Sequence, residues 1–161
     1  LLFYATLLQV FGGEKVIGVV IYMPADLRQR LASHGALSEQ IVLIEGSSLA
    51  AETIAAVKNV VGACREVLVI LDSHHSHEHV LAELRHYSPL VGKGHYLVCG
   101  DTVIEYLPAD VHRPRPWGPG NSPATARDVF LKETDRFLVD DEVDRKLLFT
   151  CNPGGYLRCV R

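Results

Sequence analysis

Glu66-Val67-Leu68-Val69-Ile70-Leu71-Asp72 is the stretch whose reading decides the fold. An aliphatic, β-branched run this short predicts a strand of a parallel sheet covered on both faces, and it delivers a carboxylate to its C-terminal tip. Upstream, residues 49–61 predict an amphipathic helix stopped by Gly62, and Ile41-Val42-Leu43-Ile44 predicts a strand that opens into the loop Glu45-Gly46-Ser47-Ser48. Residues 16–23 (VIGVVIYM) predict another strand buried on both faces. A polar helix over 25–34 ends at Gly35, and an apolar helix over 1–11 closes on Gly12-Gly13. Downstream come a helix over 79–91 bearing Pro89, a strand over 96–99 leading to Asp101-Thr102, and a helix over 124–133. Short strands follow over 137–139 and 147–150, and the tail 155–160 reads as a last edge strand. Strands alternating with helices are the pattern of an α/β domain with a mostly parallel sheet.

The remaining chain is a Pro/Gly-rich stretch over residues 108–123, including Pro114, Pro116, Trp117, Gly118, Pro119 and Gly120. A long loop in a compact domain is often a binding segment, so this one, with Trp117, is the candidate substrate lid. The chain opens on a helix, whereas a doubly wound sheet usually opens on a central strand. Residues preceding Leu1 are therefore expected in the parent protein.

With 161 residues, 48% hydrophobic and 22% charged, the chain is expected to form one soluble domain with its own core. A formal charge of −3 argues against a nucleic-acid or anionic-membrane platform. No apolar run reaches the ~20 residues of a membrane span, and Leu1-Leu2-Phe3-Tyr4 is too short for a signal peptide. Cys64, Cys99, Cys151 and Cys159 form no CxxC pair and read as reduced thiols of a cytoplasmic protein. The apolar helix over 1–11 would accommodate a homo-oligomer interface.

Ligands of open α/β sheets bind beyond the carboxyl ends of the strands. Two strands end there on Asp72 and Asp101, whose carboxylates could converge on one hard cation such as magnesium, or could merely cap the following helices. Residues 72–79 (DSHHSHEH) hold four of the eight histidines. A histidine beside a carboxylate-held metal suits general-base work. Asp72, His75 and His79 could instead form the two-histidine, one-carboxylate set of a non-haem iron site. Solvated histidines at a helix start are the plain reading of His74 and His77. Gly46-Ser47-Ser48 could let a flat ring or phosphate approach closely, or could be an ordinary turn. Cys99 reads as an inert core thiol.

Several motifs together resemble the cephalosporin hydroxylase/rhamnosyl O-methyltransferase family. They are Leu71-Asp72-Ser73 with His75-Ser76, His79-Val80-Leu81 and Glu83-Leu84; Tyr87 with Pro89-Leu90-Val91; and Gly94 with Tyr96-Leu97-Val98 and Asp101-Thr102. Gly118-Pro119-Gly120, Phe130-Leu131 and Asn152-Pro153-Gly154-Gly155-Tyr156-Leu157 continue the match, with Lys15-Val16-Ile17-Gly18 and Ile44-Glu45-Gly46-Ser47-Ser48 upstream. The resemblance spans nearly the whole chain. It implies a Rossmann-like class I methyltransferase fold: a three-layer sandwich, mostly parallel, with an antiparallel last strand. The first strand and the glycine-rich cofactor loop would lie before Leu1.

By the resemblance, the protein is an S-adenosylmethionine-dependent, magnesium-assisted O-methyltransferase acting on a hydroxyl of a small molecule or sugar. Gly46, Ser47, Ser48 and Asp72 would border the cofactor, Asp72 and Asp101 would hold magnesium, and His75 would deprotonate the acceptor. Three features depart from the family. Gly100 stands where an acidic metal ligand is usual, Val20 and Tyr22 stand where a ribose-binding acid is usual, and the cofactor loop is not in the chain. They keep open a catalytically silent binding or assembly module and, separately, the iron hydroxylase.

Overall fold

A computed structural model describes residues 1–108 and 114–161, so part of the loop over 108–123 lies outside the described residues. Seven α-helices and six strands are assigned among them, in two compact units, residues 1–62 and 63–161.

In the first unit, α1 (Leu2–Phe11), β1 (Val16–Val20), α2 (Ala25–Ala32), α3 (Ala36–Glu39), β2 (Ile41–Glu45) and α4 (Ala51–Val61) follow in order. β1 and β2 pair in parallel, from Val16 opposite Ile41 to Val20 opposite Glu45. The expected strand over 16–23 is thus cut to five residues, with Ile21 and Tyr22 left 76% and 67% exposed. The ladder stops because β2 leaves it: Gly46 N–H donates to the Val20 carbonyl at 2.8 Å and the chain turns toward α4. Pro24, which cannot donate a ladder hydrogen bond, then precedes α2. Nor is β1 buried on both faces, since of its five residues only Gly18 is fully buried. α4 places Thr53, Ile54 and Val57 in the unit's small core and ends on Gly62, whose φ of 56° a residue with a Cβ adopts only at a cost.

In the second unit, β3 (Val69–Leu71), β4 (Tyr96–Cys99), β6 (Tyr156–Cys159) and β5 (Phe137–Val139) form one sheet in the order β3-β4-β6-β5. β3 and β4 are parallel, whereas β6 runs antiparallel to both β4 and β5. The fold is mixed α/β, but the expected mostly parallel sheet is matched only in part: of the four pairings among the described strands, β1–β2 and β3–β4 are parallel, and β4–β6 and β5–β6 are antiparallel. The tail is not an edge strand: β6 is internal, with Leu157 and Cys159 at 0% and 1% exposure, and β5 forms the edge.

The clearest sequence strand shortens to Val69–Leu71, because register with β4 runs only from Val69–Leu97 to Leu71–Cys99, and Leu68 is 57% exposed. Residues 147–150 are not a strand. Asp140 caps α7 (Asp141–Leu147) by accepting from Glu142 N–H, and α7 ends at Leu148, whose φ is 61°. The acidic Asp141, Glu142 and Asp144 in its first turn suit the positive end of the helix dipole.

α5 (His77–Tyr87) and α6 (Pro123–Glu133) pack together in this unit. Val80, Leu81 and Leu84 on α5, and Ala126 and Phe130 on α6, join Leu97, Phe137 and Leu157 in its core. Each fully buried large side chain of this kind contributes about 1.5–3 kcal/mol. α5 starts two residues before the sequence suggests, and Pro89 shortens it by turning Ser88–Leu90 into a 3-10 helix. The cysteines are all unpaired: Cys64 and Cys151 exposed, Cys99 and Cys159 buried. No helix among the described residues is long and apolar enough to cross a membrane.

Candidate active site

Parallel pairing puts the C-terminal ends of β3 and β4 side by side, with Leu71 opposite Cys99. One residue further, Gly100 N–H donates to the Leu71 carbonyl at 2.9 Å and locks the two ends together. Asp72 and Asp101 leave these ends as neighbours. Asp101 sits in the left-handed region (φ 51°, ψ 31°), a conformation that aspartate tolerates better than most residues. Its backbone is held there because Asp101 N–H donates to Asn152 Oδ1 at 2.8 Å and Thr102 Oγ1 donates to the Pro153 carbonyl at 2.9 Å.

Between β3 and α5 the chain turns back and directs His75 into the same space. His75 is only 8% exposed, and its Nε2 lies 3.4 Å from Asp72 Oδ1 and 3.6 Å from Asp101 Oδ2. One ligand atom from each of the three residues falls within 4.8 Å of the others, as donors around one ion do. Asp72 and Asp101 are open to solvent, with side chains 70% and 38% exposed. His75 Nδ1 is enclosed and has no hydrogen-bond partner among the described residues.

His79 does not join this cluster. Its Nε2 faces Ser73 Oγ at 3.2 Å and Glu83 Oε1 at 3.4 Å, and Ser73 also donates to the buried Glu83 at 2.7 Å. The set Asp72, His75 and His79 is therefore not assembled, and Asp101 takes the third place. Partial desolvation, with the neighbouring His79 and His75 imidazoles, lowers the His74 pKa from its ordinary value.

Gly100 is packed as tightly as it is bonded: a Cβ there would stand 2.5 Å from the Leu71 carbonyl oxygen. In the first unit, Gly46-Ser47-Ser48 follows β2, and Gly46 is similarly confined, since a Cβ would meet Thr53 Oγ1 at 2.6 Å. Ser47 Oγ accepts from Leu49 N–H at 3.3 Å, so the loop is an ordered turn into α4. Glu45, just before it, is paired with Arg28 at 2.7 Å.

A family model described as rhamnosyl O-methyltransferase/CmcI matches residues 1–160. The chain belongs to this family. Rhamnosyl O-methyltransferases of Mycobacterium tuberculosis (strain ATCC 25618 / H37Rv) and Mycobacterium bovis (strain BCG / Pasteur 1173P2) are each 34% identical to it over 121 residues. That alignment covers 73% of this chain and 46% of each relative, so the chain spans less than half the length of these proteins. No solved structure matches.

For this rhamnosyl O-methyltransferase/CmcI member, the motif Asn152-Pro153-Gly154-Gly155 gains a role that the sequence left blank: its first two residues fasten Asp101 and Thr102. Glu83, Glu105 and Asn121 also support the site, through bonds to Ser73, Gly120 and His77 that cross 10, 15 and 44 positions of chain.

Proposed function

We propose that the protein transfers a methyl group from S-adenosylmethionine to a hydroxyl of a sugar, rhamnose being the acceptor that the names of its relatives suggest. The observation that carries this reading is the convergence of Asp72, His75 and Asp101 at the ends of two parallel strands. Family membership supports the reaction class, and a single Rossmann-like methyltransferase domain over residues 1–161 goes with it.

The donor set fits a divalent cation such as magnesium, because two solvent-facing carboxylates supply hard oxygen ligands and leave positions for water and substrate oxygen. Asp72 and Asp101 would hold it, and Gly100 adds no third carboxylate. A cation held there would supply Lewis-acid chemistry, lowering the pKa of a substrate hydroxyl. S-adenosylmethionine would supply an electrophilic methyl carbon on a sulfonium, and Gly46, Ser47, Ser48 and Asp72 are the residues that the family resemblance implies for its adenosine side. His75 is the proton acceptor: its Nε2 takes the hydroxyl proton, and Asp72 and Asp101 stabilise the imidazolium that results.

A second reading, a catalytically silent binding module, draws on Gly100 and on the exposed Tyr22, which stand where the resemblance leads one to expect acidic residues. Calorimetric titration of the full-length gene product with S-adenosylmethionine and magnesium separates the two. Micromolar binding, with methyl transfer to p-nitrophenyl α-L-rhamnoside that Asp101→Asn abolishes without lowering the melting temperature, is the expected result. Absence of cofactor binding leaves the silent module; turnover at the parent rate by the Asp101→Asn protein overturns the cation assignment.

A further inference from the structure

Trp117 is the chain's one tryptophan, and its neighbours hold it at several points. In the 3-10 turn Thr102–Tyr106 that follows Asp101, the Glu105 carboxylate accepts from Gly120 N–H at 2.9 Å and from Ser122 Oγ at 2.6 Å. Asn121 Oδ1 accepts from His77 N–H at the start of α5 at 2.8 Å, and Asn121 Nδ2 donates to the Pro116 carbonyl at 2.7 Å. Gly118 and Asn121 exchange backbone hydrogen bonds of 3.0 and 2.9 Å. Residues 116–122 are thus a strap tied to the two segments that carry Asp101 and His75.

The strap lays the indole against both histidines of the turn. Ring centroids are 4.7 Å apart for His74 and 5.4 Å for His75, with planes at 73° and 87°, the edge-to-face packing that aromatic rings prefer. Arg115 covers the indole at 5.4 Å.

His75 needs such a wall. A working histidine is ordinarily oriented by a hydrogen bond at its second nitrogen. Here Nδ1 has no partner among the described residues, and Nε2 lies at 3.4 and 3.6 Å from the carboxylates, too far to fix the ring alone. We propose that Trp117 is the positioning residue for His75, doing what an Nδ1 hydrogen bond, which no described residue supplies, would otherwise do, with Glu105 as the clamp that sets it. The proposal rests on the reading of His75 as the proton acceptor.

The test compares Trp117→Phe, Trp117→Ala and Glu105→Ala in the full-length gene product, with S-adenosylmethionine and p-nitrophenyl α-L-rhamnoside as substrates. Trp117→Ala is expected to lower kcat by about 10- to 100-fold, the cost of a misplaced catalytic group, with the KM for S-adenosylmethionine unchanged. Trp117→Phe, which keeps an aromatic wall, should retain most of the parent kcat. Glu105→Ala, which leaves the indole in the protein, should lower kcat less and shift the tryptophan emission to the red as the strap loosens. A folded Trp117→Ala protein with the parent kcat overturns the proposal, and so does a phenylalanine variant as impaired as the alanine one. If the parent protein transfers no methyl group, the functional reading fails on its own account, and proton NMR then decides the positioning role. The His75 ring signal, assigned by its loss in His75→Gln, should be displaced by the indole and return to the free-histidine position in Trp117→Ala; an unmoved signal overturns the proposal.

Discussion

β1 and β6 invert the usual reading of apolar runs. β1 is Val-Ile-Gly-Val-Val, wholly apolar, yet four of its five residues are only half-buried. β6 is Tyr-Leu-Arg-Cys, with a charge in the middle, yet its Leu157 and Cys159 are among the most buried residues described. The difference lies in the partners: among the described residues β1 pairs with β2 alone, while β6 is hydrogen-bonded on both sides, to β4 and β5. An apolar run states what a strand tolerates, and its neighbours determine what it buries.

Stability measurements can break this comparison. Leu157→Ala, at a position of 0% exposure, should cost about 2–5 kcal/mol in denaturant unfolding, whereas Ile21→Ala just beyond β1 should stay within about 0.5 kcal/mol. Similar losses at the two positions would mean that the apolar run, and not its pairing, governs the energetics.

A pH series sharpens it within the second unit. Burial, and then the nearby Glu83 charge, push the Tyr87 phenol up to about 12. A group whose folded pKa is raised stabilises the fold fully below its unfolded value, about 10, and that contribution is lost as pH climbs through the folded value. Parent stability should therefore fall between pH 10 and about 12 more steeply than that of Tyr87→Phe; parallel curves would show that Tyr87 is not held neutral by its site.

The smallest effect concerns the thiols. Burial pushes Cys99 up to about 12, and Cys159 is 1% exposed, so at pH 8 a thiol reagent should label Cys64 and Cys151 in the folded protein and the other two only on unfolding. Rapid labelling of all four would place β4 and β6 among the locally opening segments.

The meeting of Asp72 and Asp101 was more legible in the sequence than the strand boundaries around it. Asp72 and Asp101 could be paired from the ends of two successive strands, because parallel neighbours bring their C-terminal ends together whatever their length. The boundaries were harder, since β3 and β1 stop where their partners stop, and no residue within a strand records the length of its partner. Residues 147–150 read as a strand because Leu147, Leu148 and Phe149 are apolar, but they are 47%, 84% and 92% exposed, a placement that local pattern cannot foresee. Trp117 was visible in the Pro/Gly-rich loop, but its seat against His75 depends on Glu105 and Asn121, whose bonds cross 15 and 44 positions of chain.

Gly100 leaves no room for an acidic side chain at its position. The 2.9 Å bond from its N–H to the Leu71 carbonyl, and the lack of room for a Cβ above that same oxygen, mean that Gly100→Glu alters more than a side chain. The ends of β3 and β4 would first have to separate, and Asp72 and Asp101 leave from those ends. Introducing a third acid would thus disturb the two already present, so a redesign of the site would have to begin with the spacing of the strands.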